Sequence, residues 1–459
     1  MDSVQLVPGP LEQYCQLFDQ TFTRPTQRAT LRTYLQGLLL GLERHKTATG
    51  LANTEPGKDG SQHKDAQRLQ WFLSESTWDP ERLNDTRLAM LRTITSTAPC
   101  DGAVLVIDET GDRKYGTHTA HVGRQYLGSL GKVDSGIVTV HVLYDTPNAY
   151  VPLKFVPYTP AHHYERKTND PAFKTKPQLA IDLIDAVRPD WPYRAVVADS
   201  FYGRNEMFQT HLIRQYIPFV LALPASHTWW HAADQPGSVE ELALRAAPEA
   251  WQPLLRTYAD GHQEIKWVAE LQGGPFGPLQ TFRLVVVTPD PALLPEDRTE
   301  YLISNLRTDE QDTMLWHAKT PPATLLEIAL LYARRPRIEQ AYREVKQHLG
   351  WTHCQARSDI ALRRHWALVC VAFCFLYWEA TQQTSDPPTT ELSDDPQRSA
   401  AAEQPLTWSA ALRRVRAYLE PFVWVWRAWH AFTTAPPPKT LLALLRYVGQ
   451  GQPLYLYVT

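Results

Sequence analysis

Residues 103–108 read AVLVID, five apolar side chains suited to a buried strand and then a carboxylate. After a Gly-rich segment, TGDRKYGTHTAHVGRQYLGSLGKVDS (110–135), the run GIVTVHVLYD (136–145) alternates as a second strand does, so the two imply a long hairpin. FKTKPQLAIDLIDAVR (173–188) has the three- and four-residue apolar spacing of an amphipathic helix. YRAVVADS (193–200) is another apolar strand, ending at Asp199. A helix follows it, and IPFVLALP (217–224) closes with one more strand. Strands interleaved with helices predict a mixed α/β core in which Asp108 and Asp199 both stand at the C-terminal ends of strands. Open α/β sheets place their ligands at such ends.

On either side of this core the character changes. Residues 11–95 carry helical spacing throughout, and 1–100 is read as a helical N-terminal region. Its short patterns DAQRLQWFLSES and DPERLNDTRLAMLRTI, joined by a tight turn, suit a helix-turn-helix DNA reader. The 11 basic and 11 acidic residues of that region offer such a reader no electrostatic support. Residues 101–223 form the first part of the core. Residues 224–300, with ASHTWWH, QEIKWVAEL, TFRLVVVTP and EYLISNL separated by turn residues, read as a β-rich insertion. Residues 301–380 return to helices, one of them starting near Pro336 and ending at Gly350. Residues 381–406 have almost no large apolar side chains and read as a linker, and 407–459 as a Trp-rich helical C-terminal region.

A chain of 459 residues, 43% hydrophobic, exceeds what one compact core holds. Its net charge of −3 announces no nucleic-acid partner in bulk, so any basic surface must be local. Five scattered cysteines without a C-x-x-C pair exclude a disulfide framework and a zinc knuckle and suit a reducing cytoplasm. The apolar run 366–378 falls short of the ~20 residues a bilayer span needs, so a buried helix and no membrane partner are expected. The opening MDSVQLVPGP lacks the apolar core of a signal peptide.

Within YARRPRIEQAYREVK (332–346), Tyr332, Arg335, Glu339 and Lys346 are spaced to share one face of a helix, with Arg335 and Arg343 each four residues from Glu339. Pro336 leaves a second placement open, in which the helix begins there and Tyr332 sits on a separate segment. Asp108, Asp199 and Glu339 together offer what hard divalent cations want: oxygen ligands, with room left for water and phosphate. Two Mg²⁺ ions on such a trio catalyse in-line phosphodiester displacement, Asp108 bridging both and Asp199 and Glu339 each completing one. Asp108 directly follows the apolar run, while its neighbour Glu109 would point to the other side of a continuing strand. Singly, an acid at a strand end most often caps the next loop. Their joint order shifts the odds.

The Y-(2)-R-(3)-E-(6)-K signature, preceded by VIDET (106–110) and ADSFYG (198–203), resembles the bacterial insertion-sequence DDE transposases with an RNase H-like core. RQYLGSLGKVDSG, FKTKPQLA, ASHTWWH and LPEDRTEYLISNL resemble segments of one branch of that family, so the likeness covers about residues 100–375. It implies an RNase H-like mixed sheet flanked by helices, interrupted by the β-rich insertion. Asp108, Asp199 and Glu339 then become the catalytic acids and metal ligands, with Mg²⁺ replaceable by Mn²⁺. Tyr332, Arg335 and Lys346 are implied to contact the transposon end, with Arg343 beside them in a stretch, 332–366, of eight Lys or Arg against three acids. Trp229 and Trp230 of the insertion are offered as a stacking platform for a flipped base, against the plainer alternative of packing the insertion itself. The resemblance further implies terminal repeats and target DNA as partners, a homodimer on DNA and a nucleoid location. Two rival readings remain: an end-binding regulator without catalysis, and an RNase H-like nuclease without joining activity.

Overall fold

The computed structural model describes residues 9–41, 45–52, 63–232, 235–257, 261–271, 273–274, 282–308, 319–383 and 407–433, with residues 439, 443 and 446. Five helices come first: α1 (Pro10–Gln16), α2 (Pro25–Leu39), α3 (Ala48–Ala52), α4 (Lys64–Ser74) and α5 (Pro80–Leu91). Three of them open on proline, whose fixed φ and missing N–H suit the first helical position. Asp79 caps α5, its side chain accepting the Glu81 N–H at 2.9 Å.

Then come strands β1 (Val104–Arg113), β2 (Gly123–Leu127), β3 (Lys132–Asp145) and β4 (Tyr150–Tyr158). Helix α6 (Lys176–Val187), β5 (Ala195–Ala198), α7 (Ser200–Gly203), α8 (Glu206–Arg214) and β6 (Phe219–Leu223) follow. Next are β7 (Thr228–Ala232), β8 (Gln235–Ser238), α9 (Val239–Leu244), β9 (Gln252–Thr257), β10 (Gln263–Leu271), β11 (Arg283–Thr288) and β12 (Glu300–Ser304). The chain continues through α10 (Leu325–Tyr332), α11 (Pro336–Gln347), α12 (Asp359–Gln383) and α13 (Trp408–Thr433).

The strands assemble around β1. It pairs antiparallel with β3, which pairs with β4 and, through its first residues, with β2. On the other side β5 runs parallel to β1 and β6 parallel to β5. This mixed sheet with flanking helices is the RNase H-like α/β arrangement expected from the sequence. The sheet does not stop there: β12, β11, β10 and β9 extend it beyond β6 to ten strands, all antiparallel. Three strands of the stretch read as an insertion therefore hydrogen-bond into the core sheet, and β7 with β8 forms a separate two-stranded ribbon.

The run 366–378 lies inside α12, a 25-residue helix. By length and composition α12 could cross a membrane, yet 89% of that window is buried in the protein. It is apolar on every side because neighbours surround it. Tyr14 Oη donates to the Val371 carbonyl at 2.8 Å, and Tyr34 Oη meets His365 Nδ1 at 2.8 Å. Arg364 donates to the carbonyls of Leu73 and Trp78, which ties α12 to α4 and to the turn before α5. Fully buried Arg87 of α5 donates to the carbonyls of Pro152 and Leu153 in β4, so the N-terminal helices share a core with the sheet. All five cysteines are free. The linker expected at 381–406 lies outside the described residues from 384 onward, as does most of the C-terminal region beyond α13.

Candidate active site

Register brings the first two acids together. The parallel pairing of β1 with β5 ends at Ile107 opposite Ala198, so Asp108 and Asp199 come side by side where that pairing stops. Asp199 follows the end of β5 as expected, but the expectation that Asp108 ends its strand is corrected, because β1 runs on to Arg113 paired with β3. Strands ~4.8 Å apart then hold the two carboxyls as neighbours without any loop having to place them. Asp199 does two things. Its Oδ1 caps α7, accepting the N–H groups of Phe201 (3.0 Å) and Tyr202 (3.4 Å), and its Oδ2 lies 3.8 Å from Arg335 Nη2.

The third acid arrives by a break in the signature stretch. Tyr332 ends α10, residues 333–335 turn, and α11 begins at Pro336. The expectation of one helix carrying Tyr332, Arg335, Glu339 and Lys346 is therefore corrected: Pro336 has no N–H to continue α10 and occupies the N1 position of a new helix. Glu339 lies in the first turn of α11, where the helix dipole favours a negative charge.

Arg335 joins the three. Its Nη2 is 3.0 Å from Asp108 Oδ2, and its Nη1 forms an ion pair with Glu339 Oε1. Burial raises the Asp108 carboxyl, with Arg335 opposing and Asp199 and Glu109 adding to it, to about 7. Asp199 is raised too, by burial first, Arg335 again opposing. On Arg335 burial works against the charge, but the carboxylates of Asp108, Asp199 and Glu339 outweigh it. Asp108 is only 7% exposed, whereas the Glu339 side chain is 52% exposed, so the trio opens to solvent on the α11 side.

These contacts unite acids from positions 108, 199 and 339 of the chain. The family profile of the DDE superfamily endonucleases matches residues 17–272. Over 345 residues the chain is 30% identical to the probable transposase for insertion sequence element IS701 of Microchaete diplosiphon, covering 74% of this chain and 80% of that protein. This chain belongs to the insertion-sequence DDE transposases. Members of the superfamily generally use divalent metal ions.

Among the transposase's described residues, no three acidic, histidine or cysteine side chains stand as close as ligands of one ion do. The Arg335 guanidinium lies between the three acids instead. The donor set nevertheless suits a hard cation, since it is all oxygen and three carboxylates outnumber one guanidinium. Glu109 is engaged elsewhere: it pairs with Lys176 at 3.1 Å and accepts the Tyr202 hydroxyl at 2.7 Å. Lys176 and Tyr202 lie inside FKTKPQLA and ADSFYG, but nothing in their spacing marks them as partners of Glu109.

The remaining expected residues are spread out. Tyr332 is buried near the acids, and its phenol is raised chiefly by burial, then by Glu300. Lys346 lies two turns along α11 from the acids, half-buried, donating to the Gly111 carbonyl of β1 at 2.7 Å. Arg343 is exposed on the same helix. Trp229 is fully buried, and a Cβ on Gly273 would come within 2.5 Å of its Nε1, so the ring is packed in the protein and presents no open face. Trp230 is half-buried, bridging to Gly274 through paired backbone hydrogen bonds of 2.8 Å.

Glu344, also on α11, carries a pH-dependent part of the stability. It is buried, and burial pushes its carboxyl up to about 7 despite hydrogen bonds from Tyr150 Oη (2.6 Å) and Gln340 Nε2 (2.9 Å). A folded-state value above the unfolded one means the folded chain holds this proton longer. Stability from this group is thus complete at low pH and lost as pH rises from about 4.5 towards 7. Glu344→Gln removes that slope and stabilises the protein above neutrality by up to about 3 kcal/mol. Thermal melts of both proteins from acid to alkaline pH measure it, and parallel curves would refute it.

Proposed function

We propose that this transposase cuts the ends of its own element and joins the resulting 3′-hydroxyls to target DNA. The observation that supports this best is the convergence of Asp108, Asp199 and Glu339 on the single guanidinium of Arg335. In this reading the three acids hold Mg²⁺, for which Mn²⁺ substitutes. Two such ions supply an activated water or 3′-hydroxyl and stabilise the departing oxygen. The chain's own groups do the rest. Asp108 and Asp199 are held rigidly by sheet register and by the α7 cap, so their oxygens converge without reorganisation. Arg335 neutralises the acids while no phosphate is near and offers a fork for phosphate oxygens when one arrives. Arg343, exposed on α11, offers a further cation to the DNA backbone, and Lys346 stands two turns from the acids with its ammonium on the Gly111 carbonyl. Asp108 rather than Glu109 is the first ligand, because Asp108 shares Arg335 with the other acids whereas Glu109 is satisfied by Lys176 and Tyr202. The N-terminal helices, packed on α12, brace this site. Cutting two ends in one event requires at least a dimer on DNA.

The test uses the purified protein, Mg²⁺ or Mn²⁺, and DNA that runs from the gene through its flanking inverted repeats. Nicking or excision at the repeats, together with insertion of pre-cut ends into a plasmid, is expected. Binding without cleavage in Mn²⁺ would make the protein a regulator. Cleavage without joining would make it a nuclease.

A further inference from the structure

Beyond the acids, β1 runs on for five residues to Arg113 and feeds a segment, 113–133, that holds four Lys or Arg and no Asp or Glu. We propose that this β2–β3 hairpin is a second DNA contact, gripping the sugar-phosphate backbone of the element-end duplex whose reacting phosphate lies at Asp108. The inference rests on the transposase reading above.

The hairpin is uncovered where it should be buried if it served only the fold. Tyr126 and Val133 are direct cross-strand partners, yet they are 59% and 53% exposed. Tyr115 is 89% exposed, with the Arg113 guanidinium over its ring at 4.8 Å. Arg124 stands two residues from Tyr126, on the same face of β2, and Lys132 begins β3 at the hairpin tip. The two flanking acids are already neutralised, Asp112 by Lys114 and Asp134 by Arg113, each at 3.2 Å. Among the described residues Arg124 and Lys132 have no carboxylate partner, so two cations are left over in a chain whose net charge is −3.

The hairpin is also rigid and continuous with the site. Leu127 packs where Gly111 of β1 and Gly136 of β3 lack side chains, and a Cβ on either glycine would lie 2.8 Å from it. Ser129 Oγ donates at 3.3 Å to the Gly111 carbonyl, the same carbonyl that receives Lys346. Helix α11, β1 and the hairpin tip thus meet at one backbone oxygen. At about 3.3 Å per strand residue the hairpin begins ~17 Å from Asp108, or roughly five base pairs along a duplex. Exposed tyrosines with unpaired cations suit phosphate oxygens and read no sequence. The same charge disfavours a second copy of this face as the occupant, since two basic surfaces repel.

The variant Arg124→Gln/Tyr126→Ser/Lys132→Gln changes only exposed side chains, so its melting temperature stays at the wild-type value. Binding to a fluorescent duplex cut from the DNA flanking the gene is followed by anisotropy as salt rises. With two phosphate contacts gone, the fall in affinity between about 50 and 200 mM salt shrinks roughly tenfold. A matched loss of exposed charge elsewhere, Arg82→Gln/Arg214→Gln, shrinks it less. An equal effect from that control, or an unchanged salt slope in the hairpin variant, overturns the inference while leaving the transposase reading intact. So does a hairpin variant that loses self-association by light scattering at unchanged slope. Wild-type protein that binds no duplex overturns both.

Discussion

Asp108→Asn is expected to leave the protein folded and to cut end cleavage to roughly a thousandth of wild type or below, since on the proposed reading the lost metal-ligand charge removes several kcal/mol of transition-state stabilisation. Asparagine keeps the shape and an acceptor for the Glu109 N–H, now 2.8 Å from Asp108 Oδ1, but it cannot hold a divalent ion as a carboxylate does. The fold does not suffer, because the charge removed is a buried one that burial already pushes up to about 7. The sign follows from linkage. A carboxyl raised on folding destabilises the protein as pH climbs from about 4 to about 7, so metal-free Asp108→Asn melts no lower than wild type above neutral pH. Asp199→Asn and Glu339→Gln lose cleavage to the same degree, whereas Glu109→Gln, which breaks only the contacts to Lys176 and Tyr202, loses less. Cleavage rates on the flanking-repeat substrate, with melting curves on the same preparations, decide this. Activity within tenfold of wild type in Asp108→Asn would remove Asp108 from the acids.

The second large effect lies one residue from Arg335. Arg334 forms an ion pair with the carboxylate of Asp145, the last residue of β3, and donates to the Asp145 carbonyl and, at 2.7 Å, to the Gly102 carbonyl. Arg337 reaches the other Asp145 oxygen at 3.0 Å. Asp145 is completely buried, so removing Arg334 leaves a buried carboxylate with one partner instead of two. Arg334→Met is expected to cost about 3–5 kcal/mol. Because this clamp fixes the α10–α11 turn to the sheet, the variant also misplaces Arg335 and Glu339 and loses cleavage before it unfolds. Replacing both partners, as in Arg334→Met/Asp145→Leu, recovers much of the stability, since no buried charge is then left unpaired. Denaturant melts of the single and double variants test it, and additive losses would count against a buried pair.

Much of the candidate site is legible because each acid carries a local mark. Asp108 follows one apolar run and Asp199 follows another, and a parallel strand pair needs only matched register to set them side by side. That β1 runs on past Asp108 to Arg113 has no apolar mark, because residues 109–113 are polar or glycine. Glu339 is marked by its spacing from Arg335 and Lys346. The strands of residues 252–304 are legible as strands but not as members of the core sheet, because alternation reports a buried face and says nothing about which edge the strand joins. Trp229 reads equally well as a stacking platform and as a core residue, because an aromatic side chain serves both and only its neighbours decide.

Composition and pattern alone therefore establish the α/β core, the order of the three acids and the buried nature of the 366–378 run, while the motifs around the acids carry the resemblance to the DDE transposases. Only the folded chain decides that Arg334 clamps the turn while Arg335 bridges the acids. Only the folded chain moves Lys346 from the acids to the Gly111 carbonyl and makes the 113–133 hairpin an uncovered basic arm. The reason is physical: strand and helix signals are local in sequence. The partner of a charged side chain, by contrast, is chosen across one to three hundred residues by whatever the packing brings within about 3 Å.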